Sequence, residues 1–541
     1  MTSPSTDVPA PIIALGIDAA NPDLIRGWAD DGTLPVLRSL MQRGRYGTVR
    51  GLDGFFVGST WPSFYTARTP ARHGFHYTVQ LRRGSYDLFN PADRGVVSQP
   101  PFWRALQEAG FATTILDVPL VALDMARGGT HLIEWGGHDA LYGLASTPPE
   151  LALDILAHEG RHPQPPNCDA VHRDADSYRA LVDALESGAA ARGAWTRRLL
   201  SRAHQGLLLN VFSEAHCIGH QAWHLHDTSH PAHDPAWVAA HGDPVRRVYR
   251  AIDAAIGDII AEANGATIVV FSCHGMGYWY GAHFLLRDIL VRLGVTRPDP
   301  EPSRGARAAS LARRGWRTLP ASVRGAARRL LREPEQAPAK QRVRASDAAS
   351  RCFPIGNGLA VSGVRINLRG REPDGIVEPG AERDALESLI ERELLAVIDD
   401  RTGAPLVRSV RRTRDLYDGE FVDDLPDLLI EWSDATPTGS TTVGGGASAT
   451  VRAHSPRIGT VERRNDYGRT GEHRRDGIII AAGPGIAPGP LLEPVSVLDL
   501  APTLCAMLGV TLEHADGRPA PALLPDVEFP GTRSTIIRKR E

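Results

Sequence analysis

The feature that most constrains the fold of this chain is a repeated alternation of short apolar segments with longer helix-like stretches. The apolar segments read IIALGI at 12–17, FATTILDV at 111–118, GLLLNVF at 206–212 and ATIVVF at 266–271. Helical patterns such as PDLIRGWADDG and PVLRSLMQRG also occur from the start of the chain. Strands that alternate with helices predict a parallel α/β sheet, because each parallel pair needs a long crossover connection. We therefore expect a mostly parallel central sheet flanked by helices.

Residues that could carry chemistry stand directly after three of these apolar segments. Asp18 follows the first, the histidine-rich FSEAHCIGHQAWHLHD continues the third, and SCHGM continues the last. Ligands of parallel sheets bind at the carboxyl ends of the strands. This rule singles out Asp18, the segment after Phe212, and the pair Cys273 and His274. Taken alone, that pair fits a metal site, a redox site or simple packing.

The length of 541 residues allows two or three domains. We assign residues 10–290 and 456–530 to the α/β core, and residues 291–455 to an inserted, smaller cap unit. The insertion contains a stretch at 300–350 that is rich in Arg and Ala and poor in large apolar residues. That stretch fits either a solvated helical excursion or a positively charged lid over an anionic substrate.

Charge and targeting signals exclude several classes of protein. The formal net charge is -3, which gives no electrostatic basis for nucleic-acid binding. The start, MTSPSTDVPAP, lacks the charged and apolar regions of a signal peptide, and no run reaches the ~18 apolar residues of a membrane span. We expect a cytoplasmic protein that binds neither nucleic acid nor membrane. The sequence does not indicate an oligomeric state.

The number and spacing of the cysteines agree with a cytoplasmic protein. The five cysteines, at 168, 217, 273, 352 and 505, are an odd number and sparse for the length. None of them forms a C-x-x-C pair. We therefore expect no structural disulfides, and the spacing excludes a thioredoxin-type redox centre at Cys273.

Two adjacent hydroxyls precede a proline in GSTWPSFYTARTPARHG, residues 58–74. A helix with Pro62 in its first turn places Ser59 and Thr60 at the helix N-terminus. A hydroxyl at this position caps the helix, or it acts as a nucleophile beside amides that stabilise an anion. The segment alone leaves both roles open.

The histidine-rich segment has the spacing of a metal site. His216 and His220 are four residues apart, so in a helix both imidazoles point to one side at chelating distance. Glu214, His224 and His226 stand in the same segment, and His473 precedes another apolar run much later in the chain.

Taken in order, these segments resemble the alkaline phosphatase superfamily, specifically its type I phosphodiesterase/nucleotide pyrophosphatase branch. LGIDAANPDLI is similar to the first metal-binding strand end of that family, and STWPSFYTARTPARHG to its nucleophile segment. SCHGM is similar to its Ser-Asp-His-Gly-Met motif, and GEHRRDGIIIAAGPGI to its final histidine segment. The resemblance implies a metal-dependent hydrolase of small-molecule phosphate esters, most of all a phosphodiesterase or nucleotide pyrophosphatase.

The resemblance also implies roles for individual residues. Thr60 would be the nucleophile and would form a phosphothreonine intermediate. Two divalent metal ions would be bound, and one of them would take Asp18, Thr60, Cys273 and His274. The other would take His216, His220 and His473.

Two of these positions depart from the family pattern. Cys273 and His216 stand where the family has aspartates, and Glu214 offers an alternative carboxylate close to His216. Thiolate and imidazole ligands favour zinc over magnesium or calcium. The alternatives are a catalytically silent or one-metal binding protein of the same fold, or a phosphomonoesterase, sulfatase, phosphonate hydrolase or phosphomutase.

Overall fold

The computed structural model describes a defined part of the chain, namely residues 9–91, 97, 99–123, 129–136, 140–164, 174–200, 206–263, 265–300, 342–437, 450–465 and 467–525. Cys168 lies outside the described residues. Of the Arg-rich stretch, the part at 301–341 also lies outside them, so its two interpretations stay predictions.

The described strands are, in chain order, β1 (Ile12–Ile17), β2 (Arg45–Arg50), β3 (Gln80–Leu81), β4 (Leu88–Phe89), β5 (Thr113–Leu116), β6 (Gly129–Ile133), β7 (Ala145–Thr147), β8 (Leu207–Phe212), β9 (Thr267–Phe271), β10 (Gly275–Tyr278), β11 (Cys352–Ile355), β12 (Val361–Ile366), β13 (Ile398–Asp399), β14 (Val407–Arg412), β15 (Leu428–Trp432), β16 (Thr450–Ser455), β17 (Gly459–Arg464), β18 (Gly471–Arg474), β19 (Asp476–Ala482), β20 (Gly489–Pro490) and β21 (Val495–Ser496).

The described α-helices are, in chain order, α1 (Pro22–Asp30), α2 (Pro35–Arg43), α3 (Thr60–Thr66), α4 (Pro70–His73), α5 (Trp103–Glu108), α6 (Pro149–His158), α7 (Ala175–Leu199), α8 (Glu214–His226), α9 (Pro235–His241), α10 (Pro244–Ala261), α11 (His283–Arg292), α12 (Ala345–Ala348), α13 (Ala381–Leu395), α14 (Thr413–Leu416) and α15 (Leu500–Met507). Among these helices, none combines the length and the apolar character that crossing a membrane requires.

The main sheet runs in the order β20-β2-β19-β9-β1-β8-β5-β6-β7, and β21 also pairs with β2. The central pairs β9-β1, β1-β8, β8-β5 and β5-β6 are parallel, whereas β19 and β7 are antiparallel to their neighbours. Every residue of β1, β8 and β9 is buried, as expected for strands covered by helices on both faces. The predicted fold class, a mostly parallel sheet flanked by helices with a smaller inserted unit, is confirmed.

The register of the central strands sets the position of the site. Ile17 pairs with Phe212, and Gly16 pairs with Phe271. The first residues after β1, β8 and β9 therefore leave the sheet side by side. Asp18 continues this alignment, because its backbone N–H donates to the carbonyl of Phe212 at 2.8 Å.

The smaller unit is built on two antiparallel sheets. One has the order β11-β12-β15-β14 and the other β13-β16-β17. Their apolar side chains form a core that also includes Phe55, Phe56 and Leu285 from the segments around the main sheet. A two-stranded ribbon, β10 with β18, extends from the ends of β9 and β19 toward α8.

Candidate metal centre

The first element of the centre is the turn between β1 and α1. Asp18 is buried there, and the next residue, Ala19, has a left-handed backbone with φ 53°. One carboxylate oxygen of Asp18, Oδ1, accepts a hydrogen bond from Nε1 of Trp61 at 2.9 Å. Because Trp61 lies in the first turn of α3, this bond connects the end of β1 to the helix that begins at Thr60.

Helix α8 presents His216 and His220 from its first two turns. The two residues are one turn apart, as the sequence spacing predicted. Nδ1 of His220 lies 2.9 Å from the carbonyl oxygen of Gly471. A carbonyl only accepts, so Nδ1 carries a proton, and in the neutral imidazole Nε2 then presents a lone pair. Such a bond is the usual way in which proteins fix the tautomer of a metal-binding histidine.

The ribbon of β10 and β18 brings the remaining two histidines to α8. His473 pairs with Met276 in this ribbon, and His274 immediately precedes it. Glycine is required where the ribbon meets the helix, since a Cβ at Gly471 would lie 2.1 Å from the carbonyl oxygen of Gly219. The close approach of these two backbones allows His473 to reach the imidazoles of α8.

The four imidazoles form one buried cluster. Nε2 of His473 lies 3.3 Å from Nε2 of His216 and 3.2 Å from Nε2 of His220. Ligand atoms of His216, His274 and His473 all lie within 4.8 Å of one another. Asp18 lies beside the cluster, with Oδ1 3.8 Å from Nε2 of His274 and Oδ2 4.0 Å from Nδ1 of His216.

These residues fit a bound metal ion. Zinc binds imidazole nitrogen at about 2.0–2.1 Å, so two ligands of a tetrahedral ion are separated by roughly 3.3–3.4 Å. The two Nε2 distances to His473 agree with this separation. Burial, together with the nearby His220, lowers the pKa of His274 to about 3, so this imidazole is neutral at pH 7. Neutral imidazole is the form that binds metal.

The two hydroxyls at the start of α3 have different environments. Ser59 donates its hydroxyl to the carbonyl oxygen of Phe55 at 3.0 Å. Oγ1 of Thr60 is buried and has no hydrogen-bond partner among the described residues. A buried hydroxyl without a partner costs about 1–3 kcal/mol, so it indicates a position held for another role. Of the two, Thr60 is the hydroxyl left free to react.

Cys273 is the second residue after β9, but its environment is apolar. Its side chain is fully buried in a cluster that includes Trp61 and Phe271. Burial, with a smaller effect from Asp18, raises the pKa of the Cys273 thiol well above its usual value. Among the described residues, Cys273 is not part of the group of ligand atoms that lie within 4.8 Å of one another.

Glu214 lies away from the imidazole cluster. Its Oε1 is 3.1 Å from Nε2 of His162 and 3.1 Å from Nε of Arg192. Burial opposes its ionisation, but Arg192 and then His162 hold the pKa of Glu214 below its usual value. Two residues along a helix correspond to about 200° of rotation, so Glu214 and His216 face opposite sides of α8. We therefore leave Glu214 out of the ligand set.

The other two histidines of the segment have separate partners. Nδ1 of His224 lies 3.2 Å from Oγ1 of Thr470, and Nδ1 of His226 lies 2.6 Å from Oδ2 of Asp243. Sequence reasoning did not identify Trp61 or the carbonyl of Gly471 as supports of the centre. STWPS contains Trp61 next to the candidate nucleophile, but nothing local shows that its indole reaches Asp18.

Comparisons with known proteins found matches to both the sequence and the fold. The family model for type I phosphodiesterase / nucleotide pyrophosphatase matches residues 12–425. The solved structure of the alkaline phosphatase PafA is 12% identical, with a TM-score of 0.52 over 96% of this chain and 99% of its own. Phosphonoacetate hydrolase from Sinorhizobium meliloti 1021, in complex with phosphonoacetate, is 13% identical, with a TM-score of 0.50 over 93% of this chain and 96% of its own. At these identities the likeness shows the fold alone, and a search of curated proteins found no match.

Proposed function

Because the chain belongs to the type I phosphodiesterase/nucleotide pyrophosphatase family of the alkaline phosphatase superfamily, we propose that it hydrolyses small-molecule phosphate esters as a metal-dependent phosphodiesterase. The family match makes it a phosphoester hydrolase and confirms the resemblance in the sequence. The diesterase or nucleotide pyrophosphatase specificity, the metal ions and the intermediate at Thr60 are the parts that we propose.

One observation carries the proposal, namely the cluster of imidazoles around His473. The distances of 3.3 Å and 3.2 Å join nitrogen atoms, and at least one nitrogen of such a close pair must be a proton donor or both must face a cation. In the neutral tautomer that its Nδ1 bond sets, Nε2 of His220 has no proton, so either Nε2 of His473 donates to it or both nitrogens face a cation. Nε2 of His473 carries at most one proton for its two close contacts, so a metal ion shared by the imidazoles is the arrangement that we propose.

The proposed ligands fall into two sets, as the family pattern implies. Asp18, Thr60, Cys273 and His274 would hold one ion. The second ion would be held by His216, His220 and His473. We propose zinc for both positions, because imidazole and thiolate are ligands that it prefers. Bound divalent ions would neutralise charge at the phosphate and would stabilise the attacking and leaving oxygens.

The chain itself supplies the nucleophile and its orientation. The hydroxyl of Thr60 releases its proton to solvent as Oγ1 attacks phosphorus, the bond from phosphorus to the ester oxygen breaks, and the leaving alkoxide takes up a proton from solvent. Water then cleaves the phosphothreonine bond and restores the hydroxyl. Trp61 holds Asp18 through its indole N–H, and α3 holds the nucleophile at a helix N-terminus, where backbone amides favour negative charge.

Substitution of the two neighbouring hydroxyls tests the nucleophile. Thr60→Ala should lower the turnover of bis(p-nitrophenyl) phosphate by at least roughly 1,000-fold, because no other group forms the covalent intermediate. Ser59→Ala, the matched control, should lose less than about tenfold, since its hydroxyl bonds only a backbone carbonyl. Comparable activity of both variants would refute Thr60 as the nucleophile. Parallel assays with p-nitrophenyl phosphate, p-nitrophenyl sulfate and phenylphosphonate define the substrate class.

A one-metal form of the same centre is the second candidate. The apolar environment of Cys273 and its place outside the imidazole group favour it. Elemental analysis of the purified protein separates the candidates, since about two zinc ions per chain support the first and about one supports the second. A protein that binds no zinc and hydrolyses none of these substrates would instead be the catalytically silent form.

A further inference from the structure

We propose that a buried charge network on the far side of α8 positions His216 and His220 for metal binding. The network consists of Arg192, Asp117, Glu214 and His162, and none of these residues is proposed to touch metal or substrate. This inference rests on the proposed function, because it assigns a role to residues that act through its metal ligands.

Arg192 is the centre of the network. Its guanidinium is fully buried, and Nη1 donates to Oδ2 of Asp117 at 2.7 Å while Nε donates to Oε1 of Glu214 at 3.1 Å. Nη2 donates to the carbonyl oxygen of Gly136 at 3.2 Å. His162 adds a further bond of 3.1 Å to Oε1 of Glu214. A buried arginine with two carboxylates is costly unless its geometry is good, and this one is well bonded.

The surrounding backbone is built to accommodate these side chains. A Cβ at Gly136 would lie 2.5 Å from Nη2 of Arg192 and 2.5 Å from a ring carbon of His162. A Cβ at Gly188 would lie 2.3 Å from Nε2 of His162. Each glycine therefore leaves space that a larger residue would take from the network.

The network also joins the ends of three strands of the main sheet. Asp117 follows β5 and has a left-handed backbone with φ 52°, which is strained for a residue other than glycine. Its carboxylate accepts from the backbone N–H groups of Trp135 and Gly136, each at 2.8 Å, after β6. Ser213, which follows β8, donates its hydroxyl to the carbonyl of Gly136. The bonds offset the strain and fix the point where α8 begins.

Glu214 belongs both to the network and to α8, so the network restrains the helix that carries His216 and His220. Glu214 is the first residue of α8, and it faces the network while His216 faces the imidazole cluster. Fixing one face of the first turn fixes the rotation of the helix about its axis. Since His216 and His220 occupy the opposite face, their nitrogens keep the separation that a metal ion requires.

A second buried ion-pair network in the smaller unit provides a matched control. Glu372 is also buried and bonds Nε of Arg365 at 2.7 Å and Nε of Arg371 at 2.9 Å. Glu214→Gln and Glu372→Gln are therefore the same chemical change in similar surroundings. Both should lower thermal stability, because each leaves a buried arginine poorly paired. Only Glu214→Gln should also weaken metal binding.

The experiment measures zinc affinity by competition with a chelator, together with the visible spectrum of the cobalt-substituted protein. Glu214→Gln should weaken zinc binding roughly 10–100-fold and alter the cobalt bands, as loss of supporting contacts typically does. Glu372→Gln should leave both measurements within about twofold of the unchanged protein. Arg192→Lys, which keeps the charge, should recover part of the affinity relative to Arg192→Leu.

The outcomes separate this inference from the proposed function. Equal zinc affinities in Glu214→Gln and Glu372→Gln, with tight binding to the unchanged protein, would overturn the positioning role alone. Absence of zinc binding in the unchanged protein would overturn the proposed zinc centre and this inference with it, whereas the hydrolase activity is tested separately by the substrate assays. If Glu214→Gln does not fold, His162→Leu is the substitute variant. It removes one bond from Glu214 and keeps the ion pairs of Arg192. The expected loss of zinc affinity is then roughly 3–10-fold. An unchanged affinity in that variant would overturn the inference.

Discussion

At the scale of single residues, the centre is distinguished by its small number of carboxylates. Asp18 lies beside the imidazole cluster, whereas Glu214 is bonded to Arg192. Cys273 and His216 occupy the positions at which the family pattern has aspartates. In the ligand sets that we propose, each replacement would exchange a hard oxygen ligand for a softer one, so the choice of metal would depend on these two side chains.

Replacing Cys273 with Asp should shift the metal preference of the protein. A carboxylate at this position supplies the oxygen ligand of the family pattern, and manganese binds oxygen better than sulfur. The ratio of manganese-supported to zinc-supported hydrolysis should rise roughly tenfold. Cys273→Ser, which adds no charge, is the matched control. If Cys273→Asp keeps the original ratio and zinc content, Cys273 is not a ligand.

We expect Trp61 to support zinc binding through its hydrogen bond to Asp18 and not only through the space that its ring fills. Trp61→Phe keeps an aromatic ring but leaves Oδ1 of Asp18 without its indole donor. We expect a roughly 3–10-fold loss of zinc affinity, measured by chelator competition. Trp432→Phe in the smaller unit is a suitable comparison, because it also removes a buried indole N–H bond, there to Oγ of Ser362 at 2.9 Å. Similar affinity losses in both variants would contradict a specific role of the bond.

At the scale of elements, the site depends on how closely α8 meets the ribbon of β10 and β18. Gly219 lies on α8 between the two histidines, and a Cβ there would be 2.6 Å from Cγ of Met276. Met276 pairs with His473 in the ribbon. A side chain at position 219 therefore displaces the side chain of Met276 or the strand β10 that carries it, and β10 pairs with the strand of His473.

Gly219→Ala should destabilise the protein although alanine favours helices. The clash with Met276 should cost about 1–3 kcal/mol in the free energy of unfolding, measured with urea. Gly27→Ala in α1 is the control, because a Cβ there meets nothing within 4 Å, and it should stabilise by up to about 1 kcal/mol. A gain of stability in both variants would show that the ribbon moves freely against α8.

At the scale of the whole molecule, buried neutral histidines make the folded state sensitive to acid. Burial, the largest effect in each case, lowers the pKa of His73, His76 and His224 to about 3. Their usual value in unfolded chains is about 6.5. Between these two values the unfolded chain binds more protons than the folded protein, so the folded state loses stability as the pH falls.

The urea concentration at the midpoint of unfolding should therefore be constant above about pH 6.5 and fall steadily below it. Each such histidine contributes a slope of about 1.4 kcal/mol per pH unit while it is protonated only in the unfolded chain. His76→Phe should reduce the slope of the free energy of unfolding against pH by about the contribution of one histidine. Because bound metal affects both proteins equally, the difference between their pH profiles isolates His76. Identical slopes would mean that His76 is protonated in the folded protein.

Acid should remove a further contribution at lower pH. Although burial opposes ionisation, Arg371 holds the pKa of Asp427 at about 2, below the value of about 3.9 in an unfolded chain. Its stabilising effect is complete above pH 4 and is lost as the pH falls toward 2.

The cytoplasmic location and the division into residues 10–290, 291–455 and 456–530 stay predictions.

The sequence by itself determined which residues leave the ends of the strands. Apolar runs and helical spacing are local properties, so Asp18, His216 with His220, and Cys273 with His274 could be placed before the fold was known. The order of the motifs along the chain was sufficient for the family. Helical rotation could also have shown that Glu214 and His216 face opposite sides, since it follows from their spacing alone.

Only the tertiary structure decided which atoms meet. His473 reaches His220 across 253 residues of sequence, through the pairing of β18 with β10 and their approach to α8. The bond from Trp61 to Asp18 and the anchorage of Glu214 by Arg192 likewise join segments that are distant in the chain. Contacts of this kind depend on strand register and helix rotation, which are set by the packing of the whole core and leave no local pattern in the sequence.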